Sequence, residues 1–349
     1  MSLARLRSGG RSAVLGFAVA LMLVGCESAR APQELSGPTM GSLYHVTIAD
    51  RLTEREQERV RSVVEERLGE VERLLSTYDS ASEVSRFNRH ESTDPFPVSE
   101  DMIDVFALAQ HVSERSGGAL DVTVAPLVDA WGFGPVDRQG SFPDAAEVEE
   151  LLAHVGYELV VIDEAAGTLT KTDPAVRVDL SALGQGYAVD VVAAALEELG
   201  LTNFLVEISG ELKAVGSRRD GSPWRIGVEA PAEGPSELWG TVELSDEGVS
   251  TAGDYLNYIE IDGLRYSHLV DPSTGRPLPL VGLSVSVVHE SAVVADAWDT
   301  ALAVLGPYAG HELAEREGIA AIFITRDGDG FRDWTTAALA GRIEQIRGR

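Results

Sequence analysis

Residues 53–75 (TEREQERVRSVVEERLGEVERLL) carry Val60, Val63, Val64, Leu68, Val71 and Leu75 at helical spacing, which predicts an amphipathic helix. Further helices are expected over 99–116, 145–154 and 186–199, the last stopped by Gly200. Alternation predicts a strand over 42–49, and short apolar runs predict strands near 157–163, 168–171 and 176–180. A dense series follows at 204–208, 224–229, 240–244, 258–261, 265–270 and 282–288, punctuated by Gly, Asp and Pro, so hairpins are expected. Helices at 293–306 and 308–317 and a strand at 319–325 come last. The stretch ITRDGDGFRDW reads as a turn-rich hairpin rather than a full calcium loop. With no regular βαβ alternation, the order predicts an α+β fold of mostly antiparallel sheets with packed helices.

The segment VVADAWDTALAVLG (293–306) breaks its own pattern. Val294, Trp298, Leu302 and Leu305 form a buried stripe, thickened by Val293, Ala297, Ala301 and Val304. Asp296 and Thr300 nevertheless stand four apart on one face, with Asp299 beside them. Such a stripe is either a solvated helix face or a pair of ligands held by a buried helix.

Composition narrows the partners. The chain has 349 residues, 44% of them hydrophobic, enough for a sizeable core. Its 56 acids against 28 bases give a net charge of -28, which excludes nucleic acid as a partner because no basic patch can displace counterions from phosphates. A phosphate-bearing ligand then requires backbone donors or a bound cation.

At the N-terminus, Arg5, Arg7 and Arg11 precede the apolar AVLGFAVALMLV (13–24), which is too short for a comfortable membrane span. It runs into LVGC (23–26), which resembles a bacterial lipobox ending at Cys26, the single cysteine of the chain. The expectation is a lipoprotein signal over 1–25, lipidation of Cys26, a tether over 26–36 and one domain over 37–340. The mature domain has no thiol for disulfide or cysteine chemistry.

Polar clusters recur where turns meet apolar elements. STYDSASEVSRFN (76–88) follows the long helix, and GGALDVTVAPLVDAWGFGP (117–135) sets Asp121 and Thr123 in an apolar run. VDLSALGQGYAVD (178–190) joins a strand to a helix whose first amides can receive an anion. Residues 249–278 hold Thr251, Asp254, Tyr255, His268 and Asp271. Taken singly, Tyr78 reads as a packed surface aromatic, Asp121 and Asp179 as caps, DPSTG as a turn, and His268 as structural.

In combination, these clusters, with GPTMG (37–41) before them and SVSVVHESAVVADAWDTALAVLG after, resemble the ApbE family of FAD:protein FMN transferases, from about residue 37 to 306. The resemblance implies a T-fold-related architecture in two closely joined lobes. It implies cleavage of FAD and transfer of FMN to a threonine hydroxyl of a partner protein through a phosphoester, with release of AMP and dependence on Mg²⁺. By similarity, Asp296, Asp299 and Thr300 hold the metal together with the Ala182 carbonyl. Met40, Tyr78, Ala119, Leu120, Asp121, Asp179, Gln185 and Val270 contact FAD, with Tyr78 suited to stacking. His268 is the expected general base toward the threonine. The implied acceptors are periplasm-facing subunits of a quinone reductase or an electron-transport complex, with the enzyme held at the membrane, expected to be the inner one, by its lipid.

Three positions depart from the family pattern. Gln185 stands where Lys or Glu is common, Ser209-Gly210-Glu211 replaces Gly-Gly-Asp, and Thr251-Ala252-Gly253 replaces Thr-Ser-Gly. FAD hydrolysis at the same site and non-catalytic FAD carriage are the alternatives. A flavoprotein oxidoreductase is disfavoured, because GQGYAVD lacks the dinucleotide fingerprint.

Overall fold

A computed structural model describes residues 32–136, 142–231, 237–255, 257–261, 263–328 and 330–345. The signal peptide and Cys26 lie outside the described residues. β1 (Gln33–Thr39) and β2 (Ser42–Ile48) form a hairpin that leads into α1 (Glu54–Leu75) and α2 (Glu83–Asn88). Then come β3 (Phe96–Pro97), α3 (Glu100–Ser116), α4 (Ala125–Ala130), α5 (Ala145–Leu152), β4 (Val160–Asp163), β5 (Thr168–Lys171) and α6 (Ser181–Glu198). The strand-rich half holds β6 (Phe204–Ile208), β7 (Glu211–Val215), β8 (Trp224–Glu229), β9 (Leu238–Leu244) and β10 (Glu247–Gly253). It continues with β11 (Tyr258–Ile261), β12 (Leu264–Asp271), β13 (Arg276–Pro279) and β14 (Leu283–His289). α7 (Ala292–Glu317), β15 (Ala320–Asp327), β16 (Gly330–Thr335) and β17 (Ile343–Gln345) close the chain.

The backbone of the molecule is an eight-stranded sheet in the order β1-β2-β6-β7-β10-β14-β15-β16, antiparallel at every pairing. One face packs on α1, α6 and α7 through Val46, Phe204, Val206, Val285, Val287 and Phe323. The other face carries Leu212, Ala214, Val249 and Ile322 against the β17-β9-β8 sheet. Strand alternation separates the two faces, and a third apolar cluster around Leu127, Trp131 and Val270 supports the β11-β12-β13 sheet. Pro32 onward forms one compact unit. Among the described residues, no helix is long and apolar enough to cross a membrane.

Several boundaries differ from the sequence expectation. β1 starts at Gln33, inside the stretch expected as tether, because residues 33–39 find a complete hydrogen-bonding partner in β2. Residues 176–180 form no strand; instead the Val178 N–H donates to Asn88 Oδ1 at 2.7 Å and Asn88 Nδ2 donates to the Val178 carbonyl at 2.8 Å. α6 begins at Ser181, so Gly184 and Gly186 lie within the helix rather than in a turn before it. The two expected C-terminal helices are both present, joined as α7 across a break at Gly306 (φ 77°, ψ 176°) ahead of Pro307.

Candidate functional site

The crossing of α6 and α7 sets up the site. A Cβ on Gly186 would stand 2.5 Å from the Ala292 carbonyl oxygen and 2.8 Å from Asp296 Cβ, so only glycine allows this approach. The Gly186 N–H, which an ideal helix aims at the Ala182 carbonyl, donates to Asp296 Oδ2 at 2.8 Å. The Ala182 carbonyl thus lies one helical turn before the amide that orients the acid.

A cavity of about 590 Å³ opens beside this crossing. Asp296, Asp299 and Thr300 line it from α7, Ser181, Ala182 and Gln185 from α6, and Asp179 from the segment before α6. Ala119, Leu120 and Asp121 form another wall, and His268, Leu269 and Val270 approach on β12. The structure therefore gathers eleven of the thirteen expected metal, flavin and catalytic residues around one space. Met40 and Tyr78 are not among its lining. Met40 occupies the β1–β2 turn with φ 48°, its N–H donating to Glu72 Oε1 at 2.8 Å. Tyr78 sits in the loop after α1 and is 75% exposed.

The acids on α7 do not form a solvated face. Asp296 and Asp299 are buried, and burial pushes both carboxyls well above the usual range. The Glu211 charge raises both further, while Ser250 on β10 counters it. Thr300 Oγ1 donates to Asp299 Oδ1 at 3.3 Å. Glu211 was noted only as the acid of Ser209-Gly210-Glu211 in place of Gly-Gly-Asp and was not among the expected site residues. It lines the cavity, burial raises its carboxyl to about 7, and its Oε2 is buried without a hydrogen-bond partner.

This donor set fits a hard divalent cation. It offers carboxylates, a hydroxyl and a carbonyl, with no sulfur, and the buried acids lack a counter-charge of their own. Among the described residues, no group of three or more His, Cys, Asp or Glu side chains forms a metal cluster, so the hydroxyl and carbonyl are needed to complete a ligand set.

His268 is placed for proton chemistry. Its Nδ1 lies 3.2 Å from the Asn257 carbonyl, which also accepts the His268 backbone N–H at 3.0 Å. A carbonyl only accepts, so Nδ1 carries the proton and Nε2 keeps its lone pair. Burial lowers the pKa of the ring, which leaves it neutral at neutral pH.

Other polar residues shape the walls. Asp121 Oδ1 accepts from Thr123 N–H at 2.8 Å and Thr123 Oγ1 at 2.6 Å, and Asp179 Oδ1 accepts from the Ser181 N–H at 2.9 Å. Outside the cavity lining, Asp254 accepts from the Val281 and Leu283 amides, each at 2.8 Å, and so fixes the entry to β14.

A model described as the ApbE family matches residues 40–323. The FAD:protein FMN transferase of Klebsiella pneumoniae is 38% identical over 333 residues, covering 93% of this chain and 94% of its own length. That of Vibrio cholerae is 39% identical over 328 residues, covering 94% and 98%. Among solved structures, the flavin transferase ApbE from Vibrio cholerae superposes with a TM-score of 0.80 at 38% identity, covering 88% of this chain and 97% of its own. The apo form of the Pseudomonas stutzeri flavinyl transferase ApbE gives 0.79 at 42% identity, covering 88% and 95%.

Proposed function

The chain belongs to the ApbE family, and from that premise we propose that it transfers FMN from FAD to a threonine hydroxyl of an acceptor protein, with Mg²⁺ and with release of AMP. The relatives named FAD:protein FMN transferase over nearly the whole chain support the transfer. The observation that carries the chemistry is a cavity with buried Asp296 and Asp299 beside Thr300 on one side and His268 on another.

In this reading Asp296, Asp299, Thr300 and the Ala182 carbonyl hold the cation. When bound, it neutralises charge on the diphosphate oxygens and supplies Lewis acidity. The chain's own residues do the rest. Gly186 fixes the Asp296 carboxylate through its N–H, and the apolar stripe of α7 keeps that carboxylate from swinging. Asn257 fixes the His268 tautomer, so Nε2 accepts the threonine proton as the new oxygen–phosphorus bond forms and the diphosphate bridge breaks, with AMP leaving. The walls at Ala119–Asp121 and Val270 shelter the flavin from water, and the family resemblance makes the exposed Tyr78 ring a stacking surface for the ligand. The acceptor is a threonine-bearing protein of the quinone-reductase or electron-transport type. The lipobox reading places the enzyme at a membrane through Cys26, facing the periplasm.

The test is His268→Asn, assayed for FAD binding and for acceptor labelling separately. Retained FAD affinity with labelling slowed by at least about 100-fold is expected of a lost general base; labelling at the normal rate would remove His268 from the role.

A further inference from the structure

β7 pairs with β10 so that Leu212 stands opposite Val249, and both side chains enter the apolar cluster against the β8–β9 sheet. Side chains alternate along a strand, so their neighbours Glu211 and Ser250 project to the opposite face, toward α7. Lys213, two residues beyond Glu211, follows the same direction and pairs with Asp190 of α6 at 2.9 Å. Gly248, two residues before Ser250, does likewise: a Cβ there would lie 3.1 Å from Ala292 Cα. Asp296 and Asp299 follow Ala292 by four and seven residues and share its stripe.

Glu211 thus meets the acid-bearing stripe of α7 at the wall of the cavity. Its Oε2 is buried with no hydrogen-bond partner, and the lysine on its own strand is committed to Asp190. A buried carboxylate oxygen left in this state beside two other acids is costly. A cation on the cavity side is the partner that offsets all three charges together.

We propose that Glu211 is a further determinant of the divalent-cation site: its carboxylate faces the ion held by Asp296, Asp299 and Thr300 and raises the affinity of the protein for it. This rests on the cation-dependent reading of the transfer reaction. Glu211 acts through the ion and its ligands, so it is a positioning residue, and binding rather than turnover reads its contribution.

The experiment titrates the metal-free protein with Mn²⁺ and follows free Mn²⁺ by electron paramagnetic resonance, for the wild type, Glu211→Gln, Glu211→Asp and Asp296→Asn. Loss of an outer partner of a metal site typically weakens binding by about 10–100-fold. Glu211→Gln is expected at about ten-fold weaker than wild type, with Glu211→Asp in between because it keeps the charge. Circular dichroism and unfolding in chelator confirm that the variants fold. Glu211→Gln binding within about two-fold of wild type overturns the inference while leaving the cation reading intact. A wild type that binds no Mn²⁺ overturns the cation reading, and this inference with it. Should Glu211→Gln fail to fold, the Mn²⁺-induced rise in Tm of Glu211→Asp is compared with that of wild type, and an equal rise overturns the inference.

Discussion

Replacing Gly186 with alanine sets two physical effects against each other. In an ordinary helix interior the change stabilises by about 1 kcal/mol, because glycine has more backbone freedom to lose. Here the new methyl would stand 2.5 Å from the Ala292 carbonyl oxygen, 2.8 Å from its carbon and 2.8 Å from Asp296 Cβ. Two of those contacts are backbone, so no side-chain rotation relieves them, and α6 must move off α7. Overpacking of this kind costs about 1–3 kcal/mol. The same movement stretches the 2.8 Å bond from Gly186 N–H to Asp296 Oδ2, and a hydrogen bond to a charged group contributes about 1.5–3 kcal/mol. The net expectation is a loss of about 2 kcal/mol, roughly 3 °C in Tm for a unit of this size. Thermal unfolding of Gly186→Ala in chelator reads the packing term, and the rise in Tm on adding Mg²⁺ reads the site, which should shrink relative to wild type. A variant as stable as wild type or more so, with an undiminished Mg²⁺ response, would refute the argument that glycine is required by the helix crossing and orients Asp296.

Three further outcomes follow from the same structure. Asp296→Asn should abolish Mg²⁺-dependent turnover and the Mg²⁺-induced rise in Tm, while far-ultraviolet circular dichroism stays that of wild type. Because burial lowers the pKa of His268, the acid limb of the transfer rate should have its midpoint below about 6.5, the ordinary histidine value, and should disappear in the residual activity of His268→Asn. Lys171, fully buried with Nζ 3.1 Å from the Asn88 carbonyl and 4.9 Å above the Phe87 ring, has its pKa lowered to about 8 by desolvation. The folded state then binds fewer protons than the unfolded chain between about 8 and 10.5, so this lysine's contribution to stability rises with pH across that window and is lost as pH falls through about 8. Denaturant unfolding should show the stability of wild type gaining on Lys171→Met from pH 7 to 10, by up to about 3 kcal/mol.

The legible parts of the sequence were those where local signals agree. Thr53 and Glu56 form a capping box before a strongly amphipathic run, and α1 begins and ends within a residue of the reading. The C-terminal helix was equally plain in its apolar stripe, and the Gly306–Pro307 pair marked its break. β10 was missed because EGVSTAG buries residues on both faces, which erases alternation, and β7 because ELKAV alternates over only a short run. The start of α6 was misread because two glycines resemble a turn when the neighbouring helix that demands them is out of sight. Glu211 was legible only as the acid of Ser209-Gly210-Glu211 where the family pattern has Gly-Gly-Asp; its place beside α7 depends on a long-range strand register and the absence of a partner, neither of which any sequence window holds. The distant approach of residues 119–121, 179–185, 268–270 and 296–300 to one cavity was reachable only through family resemblance.

The central claim is tested most directly by incubating the purified protein with FAD, a threonine-bearing acceptor domain and either Mg²⁺ or chelator, then reading flavin fluorescence of the acceptor band on a denaturing gel. The account predicts a fluorescent acceptor with Mg²⁺, matched by AMP released in equal amount, and a dark band with chelator or with Asp296→Asn. Free FMN and AMP with an unlabelled acceptor, or labelling indifferent to chelator and to Asp296→Asn, would contradict it.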